Sequence, residues 1–465
     1  MRIAFLLSSI IILTACNSAQ SPSRKPYSQE DEKLIKQIFD EELTAGHAYE
    51  NLRSLCKDVG HRLSGSENAE LAVIWGEEKL KSYGLDSVWK QPCMVTHWER
   101  GEAEVCYMQS GDLVDTLAVL ALGGSIASPE EGIMASVIEV HNFEQLDSLG
   151  EQAIRGKIVF FNRPMDQKMI NTFKAYGGCV NQRSSGASEA APYGALAVLV
   201  RSMSTELDDY PHTGVMSYRE GVRKIPAVAL STLAATRLSN ALKKDPSTQV
   251  YLKTSSKNFE DAPSHNVIAE IRGSEYPDEI ILVGGHLDSW DVGEGAHDDG
   301  AGVVQSIEVL RLMKAVGYKP KRTIRAVLYM NEENGAKGAK HYADLAKQKG
   351  EKHIAALESD RGGFAPRGFN FQSDEKTLAQ FKGFADLFQP YYADRFTIGY
   401  GGVDIGFLKD QGTLLIGYEP DSQRYFKHHH AATDVFESVD KRELQLGAAS
   451  ITALLYLIDK YGLDF

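Results

Sequence analysis

IILVGGHLDSWDVGEGAHDDGAGV, residues 280–303, joins an apolar run to a polar, glycine-rich loop and then to the start of an amphipathic stretch. A short run without polar residues reads as a strand buried on both faces, predicted here over 279–284. The pattern repeats outward from it. Strands are expected at 267–271, 323–330, 353–358 and 412–416, and helices at 302–316, 336–349, 375–388, 405–409 and 441–460. Apolar strands alternating with amphipathic helices predict an α/β fold, a mostly parallel mixed sheet flanked by helices. Upstream, 28–83 is helical in pattern with a break at 58–66. Residues 129–254 carry their own short elements, strand-like at 132–140, 156–161, 194–200 and 225–230 and helical at 143–155, 185–193 and 231–242. They predict a smaller α/β domain, taken as 125–255, inserted into a larger one built from 30–124 and 256–465.

In such a sheet, ligands bind beyond the carboxyl ends of the strands. The chemistry-bearing residues fall there. His286 and Asp288 follow the first strand, Asp298 precedes its helix, Glu332 and Glu333 end the next, and Asp360 follows 353–358. His428, His429 and His430 precede the last helix, with Asp434 four residues beyond His430. A lone histidine or a glutamate pair is ordinarily structural or solvated, and it is the convergence on one sheet edge that sets this group apart. Imidazole and carboxylate without cysteine suit a catalytic zinc site rather than a closed structural one. Two zinc ions close together need a carboxylate between them, and a further, unligated carboxylate must take a proton from water. No G-x-S-x-G elbow supports a serine hydrolase, and the glycines of 284–295 form no dinucleotide fingerprint.

The runs GGHLDSWDVGEGAHDDGAG (284–302), NEENGAKGA (331–339), ALESDRGG (356–363) and YFKHHHAATD (425–434) resemble the M28 family of co-catalytic zinc peptidases, most of all its carboxypeptidase Q branch. The likeness extends through VGHRLSGS (59–66), HWERGE (97–102), ALAVLVRS (195–202), PHTG (211–214) and KRTIRAVLY (321–329), and so covers about residues 30–460. The resemblance implies two Zn2+ per chain. Asp298 would bridge them, His286 and Asp360 would complete one shell, Glu333 and His430 the other, and Glu332 would be the general base. His428 and His429 stand as alternatives to His430. Asp288 is expected to hold the second ring nitrogen of His286, and Asp434 to sit as an acidic partner near the last ligand. Val435 stands where the family usually has threonine.

The resemblance further makes the insert a protease-associated domain. Its Arg201 and the loop 210–214, with His212, are the candidates for substrate contact, Arg201 serving equally well as a salt-bridge partner. Asp404 either meets a free amino group or lies on the surface. The implied activity is exopeptidase cleavage of short peptides by a carboxypeptidase-like dipeptidase. An aminopeptidase is the alternative, and a metal-free peptide-binding module would require a decayed site, whereas all six positions are filled. Relatives suggest a homodimer, with the oligomeric state left open.

At the N-terminus, MRIAFLLSSIIILTAC carries one positive charge and an apolar run too short to cross a bilayer, which is an export signal. Leu13-Thr14-Ala15 before Cys16 resembles the bacterial lipoprotein signal. The expectation is a leader over 1–15, an exported protein anchored to a bacterial outer membrane through an acylated Cys16 in the lipid bilayer and facing the periplasm or the cell surface, and a polar tether over 16–29. The other cysteines, Cys56, Cys93, Cys106 and Cys179, form no CxxC. Cys93 and Cys106 would face each other if 99–101 is a hairpin turn, and are otherwise unpaired thiols. A chain of 465 residues that is 43% hydrophobic has material for two or three packed domains. Its formal charge of -13 argues against a nucleic-acid surface. Replacing Cys16 by serine is expected to shift the protein from the membrane to the soluble fraction, read by cell fractionation.

Overall fold

The computed structural model describes residues 26–463, so the leader and Cys16 lie outside it. One eight-stranded mixed sheet has the spatial order Ser87–Val95, Ala262–Ile271, Arg322–Tyr329, Tyr276–His286, Lys352–Glu358, Leu414–Pro420, Pro366–Gln372, Arg395–Ile398. The four strands from Arg322–Tyr329 to Leu414–Pro420 run parallel. Alternation sorts their side chains to two faces. Ile281, Val283, Ala326 and Leu357 join a core with the helices Ala301–Ala315 and Lys441–Tyr461. Ile280, Leu282, Val327 and Ala356 face Tyr342 and Ala343 of the helix Lys337–Lys349. Both faces are covered, which is why these strands read as unbroken apolar runs.

The two strands beyond Leu414–Pro420 escaped the sequence reading. Pro366–Gln372 and Arg395–Ile398 mix aromatics with arginine, glycine and asparagine, so they lack an apolar run. The helix expected over 375–388 is two pieces, Glu375–Lys382 and Ala385–Phe388, parted at Gly383.

A second eight-stranded sheet has the order Leu113–Thr116, Val105–Ser110, Gln249–Lys253, Ile133–Val140, Ile158–Phe161, Ala197–Arg201, Ala227–Leu230, Val119–Ala121. It draws on residues from Val105 onward rather than from 125, because 105–110 pairs with Gln249–Lys253 and 119–121 with Ala227–Leu230. Cys93 therefore lies opposite Ser264 in the first sheet and Cys106 opposite Leu252 in the second. The hairpin that would have paired them does not form, and all four described cysteines are free and buried. Among the described residues no helix is long and apolar enough to cross a membrane.

The helical pattern expected from residue 28 begins as the helix Gln29–Ala45, because Ser28 and Asp31 cap it reciprocally, and nearly all of the tether expected over 16–29 lies outside the described residues. Asp31 also ties this helix to the last one, accepting hydrogen bonds from Lys460 Nζ at 2.6 Å and Tyr461 Oη at 2.7 Å, and from Tyr456. Burial alone would raise its carboxyl, but the bonds from Lys460, Tyr456 and Tyr461 prevail and hold it well below the usual range. A depressed folded value stabilises above the unfolded one and is lost as pH falls through it. Asp31→Asn should thus cost about 1–3 kcal/mol at neutral pH, and its deficit against the parent should narrow below about pH 4, read by denaturant unfolding across pH.

Candidate metal centre

Each parallel strand delivers its part of the site at its carboxyl end. Tyr276–His286 ends in His286, Arg322–Tyr329 leads to Glu332 and Glu333, Lys352–Glu358 leads to Asp360, and Leu414–Pro420 leads into the segment holding His430. Asp298 comes from the turn Ala296–Gly300 that enters the helix Ala301–Ala315, and the Asp298–Asp299 peptide bond is cis. Gly302 lets that helix approach closely, since a Cβ there would stand 1.7 Å from the Ser359 carbonyl.

Asp298 lies between the two imidazoles. Its Oδ1 is 3.2 Å from His286 Nε2 and its Oδ2 3.3 Å from His430 Nε2. Asp360 Oδ1 is 3.6 Å from His286 Nε2, and Glu333 Oε2 is 3.1 Å from His430 Nε2. Ligand atoms about 2.0 Å from one tetrahedral ion stand about 3.3 Å apart, so these spacings fit two neighbouring ions. Four of the buried atoms concerned, His286 Nε2, Asp298 Oδ2, Glu333 Oε1 and Asp360 Oδ1, have no hydrogen-bond partner. Buried polar groups are ordinarily paired, and a cation is what this donor set would pair with. His429 Nε2 stands farther from Asp298, at 3.9 Å, and the His428 ring turns to the Thr433 carbonyl.

The ring tautomers agree. His286 Nδ1 contacts the Asp288 carbonyl at 2.9 Å and His430 Nδ1 the Thr213 carbonyl at 3.3 Å. A carbonyl only accepts, so each Nδ1 carries the proton and each Nε2 keeps its lone pair for the centre. Without a cation the charges crowd one another. Burial, then Asp298, pushes Glu333 up to about 7, and burial with Asp360, Asp404 and Glu333 nearby pushes Glu332 well above its usual value. Burial opposes charge on His430, yet Glu333 and Asp298 lift it to about 9.

Several expectations need correction. The carboxylate of Asp288 does not hold His286, standing 3.9 Å from Nδ1. It accepts instead the backbone N–H groups of Asn331, Glu332 and Glu333 at 2.7, 3.0 and 3.2 Å. Asn331 has the left-handed φ of 78° that turns the chain there. Asp434 likewise accepts from the amides of His297 and Asp298 at 2.7 and 3.1 Å, so it aims Asp298 rather than the His430 ring. Arg201 is not in the cavity, and its guanidinium bonds Asn162 and Thr236. His212 is buried with Nδ1 on the His429 carbonyl at 2.6 Å, which docks the second sheet rather than presenting a ring to substrate. Asp404 is neither on the surface nor in the cavity lining. It is 2% exposed with neither carboxylate oxygen bonded, and burial with Glu358 nearby raises its carboxyl well above the usual range.

Other residues of the site went unread. Asp299 accepts from the amides of His286 and Gly302, and Arg62, fully buried, donates to the carbonyls of Gly60, Leu287, Glu294 and Gly295. The run VGHRLSGS carried Arg62 but no hint of its partners. A cavity of about 330 Å³ opens onto the centre, walled by Glu358, Tyr400 and Tyr425 from the first sheet's loops and by Phe173, Tyr176 and Arg183 from the second's.

An α/β sheet with convergent imidazoles and carboxylates at its strand ends, beside a small cleft, defines a metallohydrolase. Comparison with known proteins narrows the class. The pattern of Peptidase family M28 matches residues 266–455. Carboxypeptidase Q of Bos taurus is 38% identical over 411 residues, 88% of this chain and 85% of that one. A Peptidase M28 precursor from Shewanella amazonensis superposes with a TM-score of 0.88 at 33% identity, over 93% of this chain and 97% of that one. A zinc aminopeptidase from Bacillus subtilis shares the fold at a TM-score of 0.64 and 20% identity, over 88% of this chain and 94% of that one. The chain belongs to Peptidase family M28 and is a metallopeptidase.

Asp288→Asn leaves one oxygen acceptor for three amides and should loosen Glu332 and Glu333 together. Bound metal and kcat/KM should fall about 10- to 100-fold with the secondary structure intact, read by elemental analysis, kinetics and circular dichroism.

Proposed function

We propose that this protein is a co-catalytic dizinc exopeptidase that hydrolyses short peptides, acting as a carboxypeptidase-like dipeptidase on free dipeptides. The observation that carries the reading is the Asp298 carboxylate with one oxygen toward each imidazole. Asp298 is then the bridging ligand, His286 and Asp360 hold one zinc, and Glu333 and His430 hold the other. Bound there, the two ions would supply Lewis acidity toward the scissile carbonyl and acidify water.

The chain's own residues do the rest. Glu332 is the general base. Its side chain is 17% exposed, whereas that of Glu333 is 2% exposed, so Glu332 faces the cavity and Glu333 the centre. Its carboxylate takes the proton of the attacking water and returns it to the departing amine. The cavity volume of about 330 Å³ is at the small end for ligand sites and favours a short substrate. The carboxypeptidase Q relatives support action at a free carboxyl terminus.

An aminopeptidase is the second reading. Glu358 and Asp360 line the cavity and would attract a substrate ammonium. A metal-free binding module is disfavoured by the intact six-residue set. A mass-spectrometric time course on the zinc-loaded protein, with a free dipeptide and its N-acetylated and C-amidated forms, separates dipeptidase, carboxypeptidase and aminopeptidase action from one another and from a binding module, which would cut none of them. Dipeptidase action fails on both blocked forms, carboxypeptidase action survives acetylation, and aminopeptidase action survives amidation. Glu332→Gln should lower kcat by about 100- to 10,000-fold while bound zinc stays unchanged.

A further inference from the structure

The loop 287–297 joins the strand that ends in His286 to the turn that carries Asp298, so its course sets how far apart those two side chains stand. Residues 287–295 have no regular structure of their own to fix that course. One side chain from elsewhere in the chain gathers both ends. Arg62 lies between the segment Leu55–Val59 and the helix Glu67–Ser82 and is fully buried. Its Nε donates to the Leu287 carbonyl at 2.6 Å, one residue past His286. Its Nη1 and Nη2 donate to the carbonyls of Glu294 and Gly295 at 2.7 and 2.9 Å, just ahead of Asp298. The backbones join as well, the Arg62 amide donating to Ser289 Oγ at 3.2 Å and the Ser289 amide to the Arg62 carbonyl at 3.4 Å.

A buried arginine ordinarily meets a carboxylate. Among the described residues none bonds this guanidinium, and its one further contact is the Gly60 carbonyl at 3.3 Å from Nη1. Its donors leave the planar group in fixed directions, so three loop carbonyls bound to one such group are held at set distances from one another. Gly300 preserves the fit, since a Cβ there would stand 2.7 Å from the Gly295 carbonyl oxygen and 3.4 Å from Arg62 Nη2.

The two halves of the centre depend on this loop unequally. His286 and Asp298 bracket it, and the His286 ring is oriented by the Asp288 carbonyl within it at 2.9 Å. Glu333 follows a different strand and draws on the loop through one amide bond to Asp288, while the His430 ring rests on the Thr213 carbonyl. We propose that Arg62 is a positioning residue of the metal centre, holding His286 and Asp298 at the separation one ion requires, so that it governs the His286–Asp360 position more than the Glu333–His430 position. The inference rests on the two-ion reading above.

The test is zinc titration of the apoprotein by calorimetry, with stoichiometry by elemental analysis and folding by circular dichroism, for the parent, Arg62→Gln and Arg62→Lys. The parent should bind two ions per chain. Arg62→Gln has two donors and no fork, and should bind one ion as the parent does and the other about 10- to 100-fold more weakly, with activity on a free dipeptide that returns as zinc is added. Arg62→Lys keeps the charge without the fork and should show the same split to a smaller degree. Added to Asp360→Asn, which already lacks the His286–Asp360 position, Arg62→Gln should cost little further zinc affinity. Equal weakening of both ions, or two parent-like affinities in Arg62→Gln, would overturn the proposal. Failure of both Arg62 variants to fold would overturn it too, making the side chain a requirement of the fold. A parent that binds a single ion would instead sink the two-ion reading, a result distinct from a two-ion parent whose affinities ignore Arg62.

Discussion

Asp288 is a carboxylate without solvent, and the geometry of the centre depends on what it accepts. Its oxygens take up the amides of Asn331, Glu332 and Glu333, so one side chain fixes both the residue that faces the cavity and the residue that faces the metal. Its own backbone carbonyl meanwhile fixes the His286 ring. Asp434 and Asp299 repeat the device, the first on the backbone of His297 and Asp298, the second on the amides of His286 and Gly302. Strand ends leave amides without ladder partners, and buried amides must be bonded. Carboxylates meet that demand with short bonds, and the loops become as rigid as the sheet that carries them.

Legibility from sequence followed the same division. The central strands and the edge of the sheet that carries the site could be read because burial on both faces forces unbroken apolar runs, and because a parallel sheet directs its loops to one edge. His286, Glu332 and Asp360 stand at or directly past such runs. What holds them could not be read, since Asp288 and Asp434 reach backbone atoms far off in the chain and a backbone acceptor leaves no mark in composition. Arg201 stood out because it ends a clear strand, yet its side chain turns to Asn162 and Thr236. Arg183 sits in a four-residue helix without periodicity, and only the docking of the second sheet brings it to the cavity.

Electrostatics explains the division of labour between the two sheets. The first supplies acids and imidazoles, a set whose mutual repulsion is relieved by cations. The second supplies neutral acceptors, Phe173, Tyr176 and the Arg183 guanidinium, while Arg361, Tyr400 and Tyr425 of the first complete the wall. A peptide is a dipole of opposite ends, and a cleft made from two unlike halves presents each end with a different field.

His430 is the place where the halves meet. Its Nε2 turns toward Asp298 and Glu333, while its Nδ1 and its backbone carbonyl are both engaged by Thr213, from the second sheet's side. Any sliding of one sheet against the other would rotate this imidazole before it disturbed a strand. The insert is thus part of the metal centre's coordination mechanics, and the two bodies are constrained to diverge together. A chain that shed or exchanged its second sheet would have to find another acceptor for that ring proton first.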